Sequence, residues 1–142
     1  MPYIDVQGET IWMKDSGGDN PAVIFCHGFF LDETMFDAQV ASLSDRYRCI
    51  TWDERGFGRS SATKSFTYWD SADDAIAILD HLAIARAVFV GMSKGVYIAL
   101  RAALVMVDRW RPNGGSRCPA RMASPRECRE SWRPIGQNAS RT

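Results

Sequence analysis

Ser93 stands in Gly91-Met92-Ser93-Lys94-Gly95, a glycine-x-serine-x-glycine pattern suited to a serine nucleophile. Where a chain reverses sharply from strand to helix, the serine is held in a strained conformation and bulky neighbours would clash, so glycines flank it. That bend pushes the hydroxyl out at the carboxyl edge of a sheet and aims the next helix N-terminus at any developing anion. Two glycines and a serine also make ordinary turns, so the flanking elements decide. Here the apolar run Ala87-Val88-Phe89-Val90 ends directly at Gly91, and the helix-like segment Val96 to Leu104 begins directly after Gly95. A serine hydroxyl also needs a positioned base to take its proton, and that base needs a third group to orient it. No histidine follows Ser93; the two in the chain are His27 and His81. His27 directly follows an apolar run and His81 sits near the end of a predicted helix beside Leu79 and Leu82, so both read as structural or solvent-facing. The acids after Ser93 are Asp108, Glu127 and Glu130, none of which follows an apolar strand.

The elements that must carry this serine alternate along the chain. Tyr3 to Val6 and Thr10 to Lys14 are short alternating segments around Gln7-Gly8-Glu9, which predicts an opening hairpin. After the turn formers of residues 16–21, Ala22-Val23-Ile24-Phe25-Cys26 is continuously apolar, as in a strand buried on both faces of a parallel sheet. Met35, Phe36, Val40 and Leu43 recur at helical spacing after acidic Asp32 and Glu33. Tyr47 to Trp52 is the next strand, closed by the loop Asp53-Glu54-Arg55-Gly56-Phe57-Gly58-Arg59-Ser60. Ser71, with Asp74 three residues on, is expected to cap a helix to about Leu82 that aligns Ala72, Ala75, Ile76, Leu79 and Leu82 on one face. Strand, loop and helix repeating in this way predict βαβ units with right-handed crossovers.

Composition bounds the rest. With 46% apolar and 24% charged residues in 142, a single domain with a buried core is expected. Lys+Arg and Asp+Glu are both 17, which gives no indication of a nucleic-acid partner. The four cysteines, Cys26, Cys49, Cys118 and Cys128, form no C-x-x-C pair and have no histidines at metal spacing, so neither a metal site nor a redox motif is expected. No basic leader precedes an apolar core and no apolar run reaches roughly 18 residues, so a cytoplasmic protein without a membrane partner is expected.

Taken together and in order, Val23-Ile24-Phe25-Cys26-His27-Gly28-Phe29, then Asp53 to Ser60, then Val88 to Gly95 resemble the α/β-hydrolase superfamily, especially its small esterase, lactonase and cofactor-free haloperoxidase-like branch. The resemblance covers residues 1 to about 104. It implies an α/β fold: a truncated α/β-hydrolase sheet of about five strands, mostly parallel, with helices on both faces. By position it makes Ser93 the nucleophile and the backbone N–H groups of Phe29 and Lys94 the oxyanion hole, with His27, Gly28, Gly91 and Gly95 supporting the motifs. It leaves Asp53 and Arg55 as structural residues. A serine at 93 argues against the branch that uses aspartate there, the haloalkane dehalogenases and epoxide hydrolases. Two positions depart from the family pattern: Lys94 places a cation beside the nucleophile, and Val96, where a second glycine is common, is expected to crowd helix against strand.

The implied activity is hydrolysis of esters, lactones or similar small acyl compounds through an acyl-enzyme on Ser93, without cofactor or metal. In this family acid and histidine follow the serine in the order Ser, Asp/Glu, His, so this chain is expected to be inactive for want of both. The alternative is a non-catalytic ligand-binding or interaction module on the same scaffold. Phe29, Phe30, Phe57, Tyr68 and Trp69 are candidates to line an apolar pocket, with core packing the expected place of most. Beyond Leu104 the character changes: residues 105–142 carry 8 arginines against 3 acids, whereas residues 1–104 carry 9 Lys/Arg against 14 acids. A shift of reading frame near Leu104 would explain an irregular Arg-rich tail; a natural disordered basic tail is the alternative.

Overall fold

The structure, a computed structural model, describes residues 2–109. The chain divides into two units, Met1–Val107 and Asp108–Thr142, and the whole sheet lies in the first. Five strands, β1 (Tyr3–Val6), β2 (Glu9–Asp15), β3 (Ala22–Cys26), β4 (Arg48–Trp52) and β5 (Ala87–Gly91), form it in the order β1-β2-β4-β3-β5. The opening hairpin pairs antiparallel and meets β4 antiparallel, with Met13 opposite Trp52. β4, β3 and β5 are mutually parallel, with Ile24 opposite both Ile50 and Phe89. The sheet is thus mixed, its parallel part being the half that carries the candidate serine.

All five residues of β3 are buried because helices cover both faces. Ala22, Ile24 and Cys26 point into a core shared with α2 (Tyr68–His81) and α3 (Lys94–Arg109), through Ala72, Ala75, Ile76, Leu79, Ile98 and Ala102. Val23 and Phe25 point the other way, toward Phe36 and Val40 on the side of α1 (Asp37–Leu43). β4 continues the alternation, with Ile50 and Trp52 on the first side and Cys49 on the second. Each fully buried isoleucine here stabilises the fold by about 1.5–3 kcal/mol. Among the described residues β5 has β3 as its one neighbour in the sheet, and Val88 is 57% exposed.

Three helix boundaries differ from expectation. The first helical segment opens with a 3₁₀ turn at Glu33–Phe36, capped by Asp32, before α1 begins. Glu33 is drawn out of an α-helical start: its N–H donates to Asp53 Oδ1 at 2.9 Å and its carboxylate receives Arg59, Lys14 and Thr51. α2 starts at Tyr68, one turn before the expected cap at Ser71. Asp70 Oδ2 accepts both the N–H and the hydroxyl of Thr67 at 2.7 Å, which closes that end. Ser71 and Asp74 lie inside the helix and face the loop after β4, where Ser71 donates to Glu54 and Asp74 receives Arg55. α3 runs from Lys94 to Arg109 rather than from Val96 to Leu104, because Val105 and Met106 still pack against the core. The remainder of the expected Arg-rich tail, residues 110–142, lies outside the described residues, as do Cys118, Cys128, Glu127 and Glu130.

Candidate active site at the carboxyl edge of the sheet

The three parallel strands end together. Their carboxyl ends lead into His27-Gly28-Phe29, into the loop from Asp53 to Ser60, and into Met92-Ser93, so three loops meet at one edge of the sheet. Ser93 adopts φ +52°, one of four left-handed non-glycine residues among those described, and its side chain is exposed. A conformation that costs an ordinary residue about 1–3 kcal/mol persists where its surroundings enforce it. Here Met92 N–H donates to Cys26 O at 3.2 Å, and the carbonyls of Met92 and Ser93 accept Gly95 and Val96 N–H at 2.9 and 3.0 Å. The chain therefore turns directly from the last ladder bond into the first turn of α3.

The glycines permit this approach. A Cβ on Gly91 would collide with Gly95 and with Val96 N at 2.7 Å, and one on Gly95 would collide with the carbonyls of Cys26 and His27. Val96 is 41% exposed, and it is Gly95 that makes the close approach to the end of β3. A Cβ on Gly28 would lie 2.9 Å from the Met92 side chain and 3.5 Å from its carbonyl, which places the loop after β3 against the serine turn. Among the described residues, neither the Phe29 nor the Lys94 N–H donates to a backbone or side-chain acceptor.

Both histidines are placed, and among the described residues neither hydrogen-bonds Ser93. His27 Nε2 accepts the Glu54 N–H at 2.9 Å, so its proton sits on Nδ1, which donates to Gly28 O at 2.8 Å. Burial holds the ring below its ordinary pKa, and nearby Lys94 adds to the effect. His81 is exposed at the last position of α2, roughly 20 Å along the helix from Tyr68.

Lys94 is buried, and its ammonium pairs with Glu54 Oε2 while lying 3.7 Å from the centroid of the Phe57 ring and 5.5 Å from that of Phe29. Burial pulls it down to about 8, with Cys26 acting the other way. Glu54 also receives the Ser71 hydroxyl. The next residue, Arg55, makes a buried two-pronged bond to Asp74 at 2.5 and 2.6 Å, and burial pushes that carboxyl up to about 6 against the pull of Arg55. Asp53, fully buried, accepts the N–H groups of Glu33 and Arg59 at 2.9 Å each. Asp53 and Arg55 brace the loop.

A cavity of about 440 Å³ opens beside this cluster, lined by Phe29, Glu54, Phe57, Phe66, Thr67, Tyr68 and Lys94. Of the five aromatics singled out by sequence, Phe29, Phe57 and Tyr68 line it, whereas Phe30 and Trp69 are 85% and 51% exposed; none of the five belongs to the core. Phe66 and Glu54 had no signal beyond their places in loops. The described residues contain no group of three or more potential metal ligands, and no described helix is long and apolar enough to cross a membrane.

The model of the alpha/beta hydrolase fold family matches residues 21–111. The chain belongs to this family. Among its α/β-hydrolase relatives, 3-oxoadipate enol-lactonase 1 of Acinetobacter baylyi is 35% identical over 105 residues, covering 73% of this chain and 40% of the lactonase. An epoxide hydrolase of Caballeronia sordidicola is 39% identical over 120 residues, covering 82% of this chain and 36% of its own length. The crystal structure of the enol-lactonase from Burkholderia xenovorans LB400 superposes with a TM-score of 0.64 at 35% identity, over 66% of this chain and 38% of the lactonase. The chain thus spans about two fifths of these hydrolases or less.

Proposed function

We propose that Ser93 is the nucleophile of a serine hydrolase that acts on small esters, lactones or similar acyl compounds, and that the 142 residues alone supply the nucleophile and oxyanion half of that machinery. The left-handed, exposed Ser93, on a turn packed against the loop after β3 and followed by the Lys94 N–H, which like that of Phe29 has no acceptor among the described residues, carries the reading. In the reaction, Oγ adds to the acyl carbon, the carbonyl oxygen becomes an oxyanion facing the Phe29 and Lys94 N–H groups, and the alcohol leaves. Water then releases the acid from the acyl-serine. The first step requires a base for the Oγ proton. His27 is committed on both ring nitrogens and His81 is remote, so the chain alone is expected to turn over poorly. The serine itself favours acyl transfer over the chemistry named for the epoxide hydrolase relative. The cavity of about 440 Å³ with three phenylalanines fits a small, largely apolar acyl group.

Imidazole added in solution can act as the general base. A fluorophosphonate should label Ser93 slowly, and about tenfold faster in the presence of imidazole, with all labelling lost in Ser93→Ala. The cavity, with three phenylalanines in its lining, also supports a second reading, a non-catalytic module that binds ligand there. A folded sample that stays unlabelled even with imidazole would establish that reading and remove the first.

A further inference from the structure

Building on the assignment of Ser93 as nucleophile, we propose that Lys94 and Glu54 are positioning residues, whose buried ion pair joins the two oxyanion donors into one rigid unit.

The connection can be followed atom by atom. The Phe29 N–H shares a planar peptide with the Gly28 carbonyl, so gripping one fixes the direction of the other. His27 Nδ1–H grips that carbonyl at 2.8 Å, and His27 Nε2 is in turn held by the Glu54 N–H at 2.9 Å. The Glu54 side chain meets the Lys94 ammonium, and Lys94 carries the second donor on its own backbone. One unbroken path therefore runs from the first N–H to the second: Phe29 peptide, His27, Glu54, Lys94.

The path is stiff. The Lys94 and Glu54 side chains are 5% and 1% exposed, Phe57 closes over the ammonium, and the second Glu54 oxygen is taken by Ser71 from α2. A buried ion pair gains little stability over an apolar pair of similar size, because desolvation offsets the attraction. Its distinctive contribution is direction: a charged pair has one arrangement, whereas two apolar side chains slide. An oxyanion hole needs that directionality, since its donors must already be aimed at the oxygen when charge appears. Lys94 lines the cavity, yet its ammonium is buried against Glu54 and Phe57, so a positioning role fits it better than direct binding of substrate.

Phenylboronic acid gives a test that needs no general base. Oγ adds to the vacant orbital of boron, its proton passes to water, and the tetrahedral borate carries the negative charge that the donors should meet. Methyl benzoate, planar and uncharged, reports the cavity alone. In the full 142-residue chain, K94M/E54Q should retain the circular dichroism spectrum and lose about tenfold more affinity for the boronate, measured by ¹¹B NMR, than for methyl benzoate. K94R with Glu54 intact should recover part of that loss. Equal losses for both ligands, or no loss for either, overturn the proposal. If the double variant unfolds, S71A serves instead: a selective loss of about threefold for the boronate is expected, and an unchanged boronate affinity overturns the proposal. Should the parent chain form no boronate adduct that Ser93→Ala abolishes, the nucleophile assignment itself fails, a result distinct from the others.

Discussion

The His27 ring and the Glu54 backbone are joined by a 2.9 Å bond in which the imidazole is the acceptor. That direction fixes the tautomer, keeps the ring neutral and ties the loop after β3 to the loop after β4. A histidine used in this way cannot be protonated without breaking the bond that holds it.

Stability should therefore depend on pH. The folded ring titrates below its ordinary 6.5 because it is buried. Between the folded value and 6.5 the unfolded chain binds more protons, so this contribution to stability is present above about 6.5 and is lost as pH falls. Urea midpoints measured from pH 7.5 to 5 should show the wild type losing stability relative to His27→Gln as the medium is acidified; parallel curves would refute the assignment.

Gly95 is the tightest point of the serine turn. Gly95→Ala forces a methyl against the carbonyls of Cys26 and His27, and should destabilise the fold by about 2–3 kcal/mol or more. The control is Gly17→Ala, where a Cβ meets nothing within 4 Å, although φ is +75°; it should cost about 1 kcal/mol. Chemical denaturation of the two variants compares the terms directly.

Arg55 and Asp74 lock the loop after β4 to α2, with side-chain exposures of 3% and 0%. Asp74→Asn alone leaves a buried guanidinium without its counter-charge and should cost about 3–5 kcal/mol, whereas Arg55→Met with Asp74→Leu should recover most of that loss. A double variant as unstable as the single one would mean that the pair contributes more than mutual compensation.

The outer face of α3 carries Tyr97, Leu100, Leu104 and Val107, each 59–64% exposed, and Val88 is exposed on β5. Exposed apolar surface of this kind favours association. Light scattering should show concentration-dependent oligomers that Leu100→Glu with Leu104→Glu reduces toward monomer, with circular dichroism unchanged.

Much of this arrangement is readable from residue order because its determinants are local. Ala22 to Cys26 is apolar throughout, which fits a strand covered on both faces, and the structure covers it so. The Gly91-to-Gly95 turn is legible because the clashes that glycine avoids are set by neighbours in sequence. What escaped is tertiary. Ser71 and Asp74 have the types and spacing of a helix cap, yet both face a loop that sequence places about twenty residues away, and Thr67 with Asp70 closes the helix instead. The side chain of Lys94 can be foreseen near the serine, but its partner Glu54 lies 40 positions earlier and meets it only through the parallel alignment of β4, β3 and β5.

On the proposed mechanism, the backbone at Ser93 presents its hydroxyl between two waiting amides. The decisive measurement is a crystal structure of the chain soaked with phenylboronic acid. Boron should be bonded to Ser93 Oγ, with one boronate oxygen within about 3 Å of both the Phe29 and Lys94 nitrogens. An unmodified Ser93, or an adduct whose oxygens all point away from those two amides, would contradict it.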